Sequence, residues 1–384
     1  MHCIVLVHVY KLSGKDFYHS TLLTWMWCES STSILRKIAA VARTSTLTGT
    51  TRILASKTRT LSTTKRFQHD QHAIAIQLDY YMSPQFAGIA SALVNNTYRM
   101  KGLATADLTI LPVCPVGLEQ ERVRIHQNEN PTSVSLGTVE QNVFIPTLKR
   151  NPQLKTTAIA AMFATSPLCI ASLHRKESDS ENDNDLPPNI IGTHEDTVAI
   201  MRRVFPDRDV VSSPRCTKTR DLIEKRVGAI QAYTTTEVPA LRMKLGNEPD
   251  VVELEGYNGA KLGYSQVIFA ADECLQDDRK EIASAFCEAT FEGWANVIDN
   301  PKDAVAMMKE AKKMLDLDDE DNDHWIDSDA YELEMIERCI DYVRGTLTSG
   351  KYGVIDEHRW REANAWLLSD DNNTDLGLDT SVWK

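Results

Sequence analysis

The sequence contains no CxxC pair, no apolar run of membrane-spanning length and no motif of the kind that binds nucleotides or zinc. Its eight cysteines are scattered, which argues against a disulfide framework and indicates reduced thiols. A membrane-spanning helix needs about 18 to 20 apolar residues in a row, so we predict no membrane span. The acidic run at residues 316–323 lacks the Gly and Glu of an EF-hand, since Asp321 and Asp327 occupy those positions. We therefore predict no metal site.

Positive charge is scarce outside the N-terminal region. The first 70 residues contain 10 Lys and Arg against 3 Asp and Glu, whereas the rest of the chain contains 32 against 51. The whole chain has a net charge of -12. Because an acidic body repels phosphate backbones, we predict that the protein does not bind nucleic acid.

The N-terminal region has the composition of an organellar address. Residues 30–69 contain eight Lys and Arg, sixteen Ser and Thr, and no Asp or Glu, as is typical of transit peptides. Residues 59–62 resemble a mitochondrial processing site. We therefore interpret residues 1–70 as a leader and predict a mitochondrial location. A plastid address, or a basic tail on a cytoplasmic protein, is the alternative.

The rest of the chain alternates between strand and helix patterns, which predicts an α/β fold with mostly parallel sheets. The first unit has predicted strands at residues 72–79, 108–113, 132–136 and 155–162, with helices at 86–95 and 139–149. An acidic stretch without apolar anchors, residues 174–188, predicts a flexible linker. The second unit has predicted strands at 189–191, 210–211 and 229–232, with helices at 195–204, 218–225 and 236–244. A strand at 267–270 then precedes amphipathic helices.

One strand-to-helix turn in the second unit has residues suited to a ligand. Gly192 permits the turn, Thr193 is a candidate helix cap and His194 follows. The free N–H groups of a helix N-terminus attract polar or anionic groups. Any strand-to-helix turn offers the same features, so a purely structural role stays open.

Four segments together resemble one family, the type II periplasmic-binding-protein family that contains SsuA-like transport proteins, pyrimidine-binding proteins of thiamine salvage and the fungal thiamine-pyrimidine synthase. IQLDYYMSPQFAG at residues 76–88 resembles the opening strand and ligand loop, and residues from Ile191 onward resemble the start of the second lobe. GAIQAYTTTE at residues 228–237 and VIFAADE at 267–273 are similar to two later segments. The following helix has the family's most specific pattern, formed by Phe286, Ala289, Gly293, Asn300, Pro301 and Ala304.

The resemblance implies a two-lobe fold with a hinge, C-terminal helices and a ligand held between the lobes. It assigns residues 71–173 and 266–345 to lobe I, the linker to 174–188, lobe II to 189–265 and a C-terminal extension to 346–384. The hinge strands would lie near residues 173–189 and 262–266.

The resemblance also implies a planar, amino-bearing, pyrimidine-like ligand. An aromatic side chain would stack on its face, and carboxylates such as Asp79 and Glu237 would accept hydrogen bonds from its amine. The candidate ligand-binding residues are Asp79, Tyr80, Tyr81, Phe86, Gln141, Gly192, Thr193, His194, Tyr233, Thr235, Glu237 and Tyr264.

The sequence departs from the fungal synthase where that enzyme carries its chemistry. Gly137 stands at the lysine that holds pyridoxal phosphate, Gln141 at the reacting histidine, and Phe86 at the histidine of the opening loop. Residues 261–265 contain no cysteine for iron. Glycine cannot form a Schiff base, so neither pyridoxal phosphate nor iron is expected. Lys261 remains a candidate for binding an aldehyde.

These observations favour a protein that binds a thiamine-precursor pyrimidine or a related heterocycle. An enzyme of thiamine-pyrimidine synthesis that uses other residues, His194 among them, is one alternative, so catalysis stays an open question. The solute-binding component of a transport system is another. A homodimer is a further expectation, because Trp360, Trp366 and Leu367 offer an apolar helix face.

Overall fold

A computed structural model of the protein describes residues 73–103, 108–173, 189–214, 217–317, 326, 328–369 and 376–383. The predicted leader, residues 1–70, and the predicted linker, residues 174–188, lie outside these residues. All structural statements below concern the described part of the chain.

The first sheet has five strands in the order β2-β1-β3-β10-β4. Their bounds are β1 Ile74–Gln77, β2 Leu108–Ile110, β3 Val134–Val139, β4 Thr156–Phe163 and β10 Ser265–Ala271. β1 pairs in parallel with β2 and β3, whereas β10 runs antiparallel between β3 and β4. β1, β3 and β10 are buried along their whole length, which explains why they contain nearly continuous apolar runs.

The second sheet also has five strands, in the order β7-β6-β8-β5-β9. Their bounds are β5 Leu168–Ser172, β6 Ile190–Thr193, β7 Asp209–Ser212, β8 Ala229–Tyr233 and β9 Asp250–Glu253. β6 pairs in parallel with β7 and β8, and β5 runs antiparallel between β8 and β9. The two sheets form the centres of the two lobes.

Helices cover the sheets, and the four longest of the described helices all follow β10 in the chain. They are α1 Ala87–Val94, α2 Thr97–Met100, α3 Glu119–Glu129, α4 Gln141–Arg150, α5 Val198–Val204, α6 Lys218–Ile223, α7 Glu237–Leu245, α8 Asp277–Asp299, α9 Pro301–Met314, α10 Asp329–Arg344 and α11 Glu357–Leu368. Pro301 begins α9 directly after α8 ends, as the sequence predicts, because a proline is well tolerated only in the first turn of a helix.

The chain crosses between the sheets twice, and the first crossing corrects the predicted lobe boundary. β4 belongs to the first sheet and β5 to the second, so lobe II begins near Leu168 rather than at residue 189. Residues 174–188 therefore connect two strands of one sheet, not two lobes. The apolar run of β5 follows β4 without a break in composition, and Ser166-Pro167 is the local signal of the crossing. The return crossing lies between Glu253 and Ser265, which includes the predicted second hinge at residues 262–266.

The main hydrophobic core lies in lobe I and includes the C-terminal helices. Helices α1 and α8 approach closely, because a Cβ atom on Gly293 would lie 2.0 Å from the carbonyl oxygen of Gly88. A Cβ on Gly88 would in turn lie 2.2 Å from the ring of the fully buried Trp294. Gly293, a glycine of the helix pattern that carries the family resemblance, is thus the point where two backbones meet.

The C-terminal residues 346–383 pack on lobe I and reach lobe II. Trp360 is fully buried beside Phe144 of α4. Trp366 packs against lobe II, where the Arg203 guanidinium lies 4.1 Å from its ring centre, and Leu367 packs against the main core. The residues proposed as a dimer face therefore make contacts inside the chain, which removes the reason for expecting a homodimer through them.

Candidate ligand-binding cleft

A cleft opens between the two lobes beside the crossings, and both sheets contribute to its walls. Asp79, Tyr80, Glu140 and Gln266 come from lobe I, where they adjoin β1, β3 and β10. Residues of lobe II stand opposite, in the turns that follow β6 and β8, and α10 adds Tyr331 and Met335. Strand ends of a doubly wound sheet are the usual place for such a site.

Asp79 follows β1 and is held in a fixed orientation by two neighbouring strands. One carboxylate oxygen accepts a hydrogen bond from the Thr138 hydroxyl at 3.1 Å, and the other accepts one from the Gln266 amide at 3.0 Å. The backbone N–H of Asp79 donates to the same Thr138 hydroxyl at 3.2 Å. This anchoring presents an oriented carboxylate to the cleft.

Glu140 lies at the start of α4 and is a second carboxyl in the lobe I wall. Its Oε2 accepts hydrogen bonds from the Asn142 amide at 2.6 Å and from the Ser166 hydroxyl at 3.3 Å. Burial raises the pKa of Glu140 to about 7, although the hydrogen bonds from Asn142 and Tyr233 oppose the shift. Since Tyr233 belongs to β8, the contact between Tyr233 and Glu140 joins the two lobes across the cleft.

Glu237 begins α7 and is the lobe II counterpart of these groups. Lys218 lies 2.5 Å from its Oε1, and its Oε2 accepts hydrogen bonds from the Thr236 hydroxyl at 2.6 Å and the Tyr233 backbone N–H at 3.0 Å. Burial opposes ionisation, but the positive charge of Lys218 and these donors outweigh it and lower the pKa of Glu237. Glu237 is therefore an anion, whereas Glu140 keeps its proton to a higher pH than an ordinary glutamate does.

The buried side-chain amide of Gln231 fixes the turn that follows β6. Gln231 accepts hydrogen bonds through Oε1 from the hydroxyls of Thr193 and Thr197, both at 2.5 Å, and from the His194 backbone N–H at 2.9 Å. This places the His194 side chain in the cleft lining, whereas Thr193 stays behind it, fully buried.

Aromatic side chains form part of the walls on both sides. Tyr80 lines the cleft from lobe I and Tyr233 from lobe II. Tyr331 lines it from α10 and donates its hydroxyl hydrogen to the carbonyl oxygen of Thr236 at 3.1 Å. A flat ligand between the lobes would have aromatic surface beside it.

Five of the twelve predicted binding residues line this cleft, namely Asp79, Tyr80, His194, Tyr233 and Glu237. Tyr81 is not part of the lining and packs edge-on against Tyr80, with the ring centres 5.1 Å apart. Thr235 is buried next to the lining residue Thr236, and Gly192 is buried within β6. The side chain of Phe86 is fully buried in the main core.

Gln141 and Tyr264 have structural partners away from the lining. The Gln141 amide donates to Asn364 Oδ1 at 2.8 Å and to the Trp360 carbonyl at 3.1 Å, and its oxygen accepts from the Tyr264 N–H at 3.0 Å. The Tyr264 hydroxyl accepts from the Asp356 N–H at 2.8 Å. Both residues therefore attach α11 to lobe I. Lys261, the candidate for an aldehyde, also lies outside the cleft lining, beside Glu255 and Arg359.

Several lining residues were not predicted from the sequence, above all Glu140, Asn142, Asp196 and Gln266. Glu140 has a local signal, since a polar residue between a buried strand and a helix lies at a strand end. Gln266 has φ 51, a left-handed conformation that is uncommon for a residue with a side chain. No sequence pattern identifies that conformation.

The described lining is rich in carboxyl groups. It contains the carboxyl groups of Asp79, Glu140, Asp196 and Glu237, and it contains neither Lys nor Arg. Within the described residues, no cluster of His, Cys, Asp and Glu has a geometry that would hold a metal ion. These carboxyl groups give the lining many hydrogen-bond acceptors, which suit a ligand that donates hydrogen bonds.

Comparison with known proteins agrees with this architecture. The model of the family described as NMT1/THI5 like matches residues 129–304, which include β3, β4, β10, all five strands of lobe II and the whole of α8. No curated protein gives a significant sequence match. In the described parts of the chain, no helix is long and apolar enough to cross a membrane.

Solved structures match most of the chain at low identity. A ligand-binding component of an ABC-type import system from Staphylococcus aureus, solved with zinc bound, has a TM-score of 0.53 and 13% identity over 82% of this chain and 98% of that one. The aliphatic sulphonate binding protein SsuA of Escherichia coli has a TM-score of 0.51 and 12% identity, over 81% of this chain and 96% of that one. The nitrate-binding protein NrtA of Synechocystis PCC 6803 has a TM-score of 0.51 and 9% identity, over 82% of this chain and 87% of that one.

The protein is therefore a two-lobed α/β protein with a cleft between the lobes. Its fold is the type II periplasmic-binding-protein fold, which is also the fold of SsuA.

Proposed function

We propose that this protein binds a planar, amino-bearing heterocycle in the cleft, and that a thiamine-precursor pyrimidine is the ligand to test first. The observation that carries the proposal is the presence of Tyr80 and Tyr233, from opposite lobes, in one cleft with the carboxylates of Asp79 and Glu237. Stacking on an aromatic ring contributes about 1–3 kcal/mol per base. A charge-assisted hydrogen bond contributes about 1.5–3 kcal/mol.

The match to the NMT1/THI5-like family supports a pyrimidine as the heterocycle. The matched residues 129–304 contain Glu140, His194, Tyr233 and Glu237, which lie in the same cleft. Tyr233 and Glu237 thus belong both to a segment that carries the sequence resemblance and to the cleft lining.

Two positions argue for binding rather than for the synthase reaction. Gly137 lies in β3, and a Cβ atom there would be 2.3 Å from the Phe269 ring, so this backbone leaves no room for a lysine. Gln141, at the histidine position, is engaged with Trp360 and Asn364. Any catalysis in this cleft would have to use other groups of the lining, such as His194 and Glu140.

A thermal-shift panel on the full chain tests the proposal. Hydroxymethylpyrimidine, formylaminopyrimidine, thiamine, pyridoxal phosphate and taurine are compared. A ligand at 100 times its dissociation constant stabilises the fold by about 2.7 kcal/mol. We expect a shift with a pyrimidine that is lost in Tyr80→Ala and kept in the matched variant Tyr81→Ala, because only Tyr80 lines the cleft. A pyrimidine response that survives Tyr80→Ala, or no response to any pyrimidine, contradicts the proposal.

A solute-binding component of a transport system is the second candidate. The observation that favours it is the fold shared over 98% of the import component from Staphylococcus aureus. SsuA and NrtA are named for sulphonate and nitrate, which are anions. A thermal shift with taurine but not with pyrimidines would favour this second candidate.

We also propose a mitochondrial location. Fusing residues 1–70 to a fluorescent protein tests it, and a plastid or diffuse signal would support the alternatives. A variant in which the eight Lys and Arg of residues 30–69 are replaced by Gln is the control, because it keeps the length and removes the charge.

A further inference from the structure

Two buried side-chain amides of the cleft lining have carbonyl oxygens that no described residue satisfies. They belong to Asn142 and Gln266, which are 4% and 3% exposed. The Asn142 amide nitrogen donates to Glu140 Oε2 at 2.6 Å, and the Gln266 amide nitrogen donates to Asp79 Oδ2 at 3.0 Å. Because the carboxyl oxygens accept these hydrogen bonds, each amide turns its carbonyl oxygen away from the carboxyl group. Buried acceptors are normally satisfied, so both oxygens lack a donor that a ligand can supply.

The two amides stand on backbone segments of lobe I that are joined to each other. β10 begins beside the start of α4, where the backbone N–H of Gln141 donates to the Tyr264 carbonyl oxygen at 2.9 Å. Asn142 directly follows Gln141, and Gln266 lies two residues after Tyr264. Both amides therefore belong to the same wall of the cleft.

The backbone of Gln266 has a conformation that is unfavourable for a residue with a side chain. Its φ of 51° lies in the left-handed region. Its neighbours in β10 keep the sheet pairing, because Ser265 lies opposite Phe163 and Val267 opposite Ala161 of β4. Strained residues of this kind cluster at sites that hold ligands. The conformation thus supports a role for Gln266 beyond the pairing of the sheet.

A hydroxyl in the same lining can donate a hydrogen bond as well as accept one. Ser83 lies in the loop that follows β1 and is 1% exposed, and its hydroxyl has no hydrogen-bond partner in the described part of the chain. Lobe I thus offers a ligand two unsatisfied acceptors and one hydroxyl. This set complements an amino group next to a ring nitrogen, because the amine donates hydrogen bonds and the ring nitrogen accepts one.

From these groups we infer that Asn142 and Gln266 determine the specificity of the cleft, because their carbonyl oxygens accept the N–H hydrogens of a primary amino group on the ligand. The inference rests on the proposed function and names the groups that recognise the amine. Asp79 and Glu140 hold the two amide nitrogens and so fix the direction of both carbonyl oxygens. An analogue with a carbonyl oxygen in place of the amine is rejected, since an acceptor would then face two buried acceptors.

Titration calorimetry of the full chain with two matched pairs of probes tests the inference. One pair is hydroxymethylpyrimidine and its oxo analogue, in which a carbonyl oxygen replaces the amine. The other pair is adenine and hypoxanthine, which differ in the same way on another ring system. We expect hydroxymethylpyrimidine to bind at least about a hundredfold more tightly than its oxo analogue, because a site built for an N–H donor discriminates strongly against a compound that lacks it.

Two variants test whether the amides cause this selectivity. Gln266→Met and Asn142→Leu keep about the size of each side chain and remove its carbonyl oxygen. Each should reduce the ratio of the two pyrimidine affinities at least about tenfold, whereas a change that merely disturbed the fold would weaken the binding of both pyrimidines alike. Circular dichroism shows whether each variant folds, and the smaller change Asn142→Ala serves for the same comparison if one does not.

Gln127→Met is the matched control, because it makes the same substitution at a buried amide outside the cleft lining. Gln127 is 4% exposed, and its amide nitrogen donates to the carbonyl oxygens of Asn130 and Pro131. Its own carbonyl oxygen accepts a hydrogen bond from Cys274 Sγ at 2.8 Å. This variant should lower the stability of the protein and leave the ratio of the two pyrimidine affinities unchanged.

The outcomes separate the inference from the proposed function. Equal or tighter binding of the oxo analogue overturns the inference and leaves the binding of a pyrimidine standing. Selectivity for the amine that survives in the folded variants overturns the role of Asn142 and Gln266. Selective binding of adenine that the variants lose, without binding of either pyrimidine, supports the inference and contradicts a pyrimidine as the ligand. Binding of none of the probes overturns both.

Discussion

The ammonium group of Lys218 lies 2.5 Å from the carboxylate of Glu237, and 1% of the lysine side chain is exposed. Lys218 begins α6 and Glu237 begins α7, so the pair joins the N-termini of two helices beneath the lobe II wall. The ion pair keeps Glu237 ionised despite its burial. Lys218 therefore fixes the charge and the orientation of Glu237 from a position outside the cleft lining.

This pair makes Glu237→Ala a poor test of ligand binding. Removing the carboxylate leaves a buried ammonium without its partner, which typically costs about 3–5 kcal/mol. We expect a loss of this size in the free energy of unfolding, measured with urea. The double variant Lys218→Met with Glu237→Leu should recover most of the loss, because replacing a buried pair by apolar side chains is often nearly neutral.

The exposed ion pair in the same lobe provides the control. Arg226, 56% exposed, pairs with Asp221 and Glu224. Arg226→Ala should change the free energy of unfolding by about 1 kcal/mol or less. If Arg226→Ala lowers the free energy of unfolding as much as Glu237→Ala does, the buried pair does not contribute more to stability than the exposed one.

Gly293→Ala should destabilise the protein although it adds only one methyl group. The added Cβ would lie 2.0 Å from the Gly88 carbonyl oxygen, so α8 would have to move away from α1. Overpacking of this kind costs about 1–3 kcal/mol, and a clash with backbone puts the expected loss at the upper end. Urea unfolding measures this loss of stability. An unchanged slope of the free energy of unfolding against urea concentration would show that the fold is kept.

A substitution at an exposed position of the same helix is the control for Gly293. Glu281 is exposed, and Glu281→Ala should change stability by about 0.5 kcal/mol or less. If both variants lose equal stability, the close approach of α1 and α8 is not the cause.

The stability of the ligand-free protein should fall as the pH rises from about 5 to about 8. Burial raises the pKa of Glu140 to about 7 and of Glu119 to about 8, above the ordinary value of 4.5 that they regain on unfolding. In this range the folded state holds protons that the unfolded state has released, so raising the pH favours unfolding. The slope is at most about 1.4 kcal/mol per pH unit for each group.

The variant Glu119→Gln with Glu140→Gln isolates this effect. We expect its free energy of unfolding, measured by urea at several pH values, to depend less on pH than that of the natural protein. Glu237 does not contribute in this range, because its pKa is lowered and it is ionised in both states. An unchanged slope in the double variant would show that these two carboxyl groups are ionised in the folded protein.

The predictable part of the cleft is the part encoded by local pattern. The apolar run from Ile74 ends at Asp79 and Tyr80, and the run from Ala229 ends at Tyr233, four residues before Glu237. Strand ends of this kind usually adjoin the cleft of an α/β fold, and the structure places these side chains in the cleft lining. The same logic located β1, β3, β4, β8 and β10 to within a few residues.

The missed features depend on contacts between distant residues. Gln266 reaches Asp79 because β10 returns antiparallel beside β3, with Val267 opposite Val139. β9 and α3 were not predicted because β9 is an exposed edge strand and α3 has only one fully buried apolar residue, Val123. Neither shows the alternation or stripe that indicates an element.

The neighbours Gln141 and Asn142 should respond in opposite ways to substitution. Gln141→Ala removes two hydrogen bonds that attach α11 to lobe I and a third with the Tyr264 N–H, so we expect a loss of about 1–3 kcal/mol in the free energy of unfolding. The affinity of the folded protein for hydroxymethylpyrimidine should stay unchanged. Asn142→Ala removes a lining side chain, so it should weaken that affinity about tenfold or more.

Calorimetry on protein confirmed as folded by circular dichroism separates the two effects. The reverse pattern, with affinity lost in Gln141→Ala and kept in Asn142→Ala, would restore the site assigned from the sequence alone. It would also mean that α11 detaches when the ligand binds, because the Gln141 side chain can reach a ligand only by giving up Asn364 and Trp360. The expected pattern instead keeps α11 fixed to lobe I and leaves ligand contact to the residue one position further along the chain.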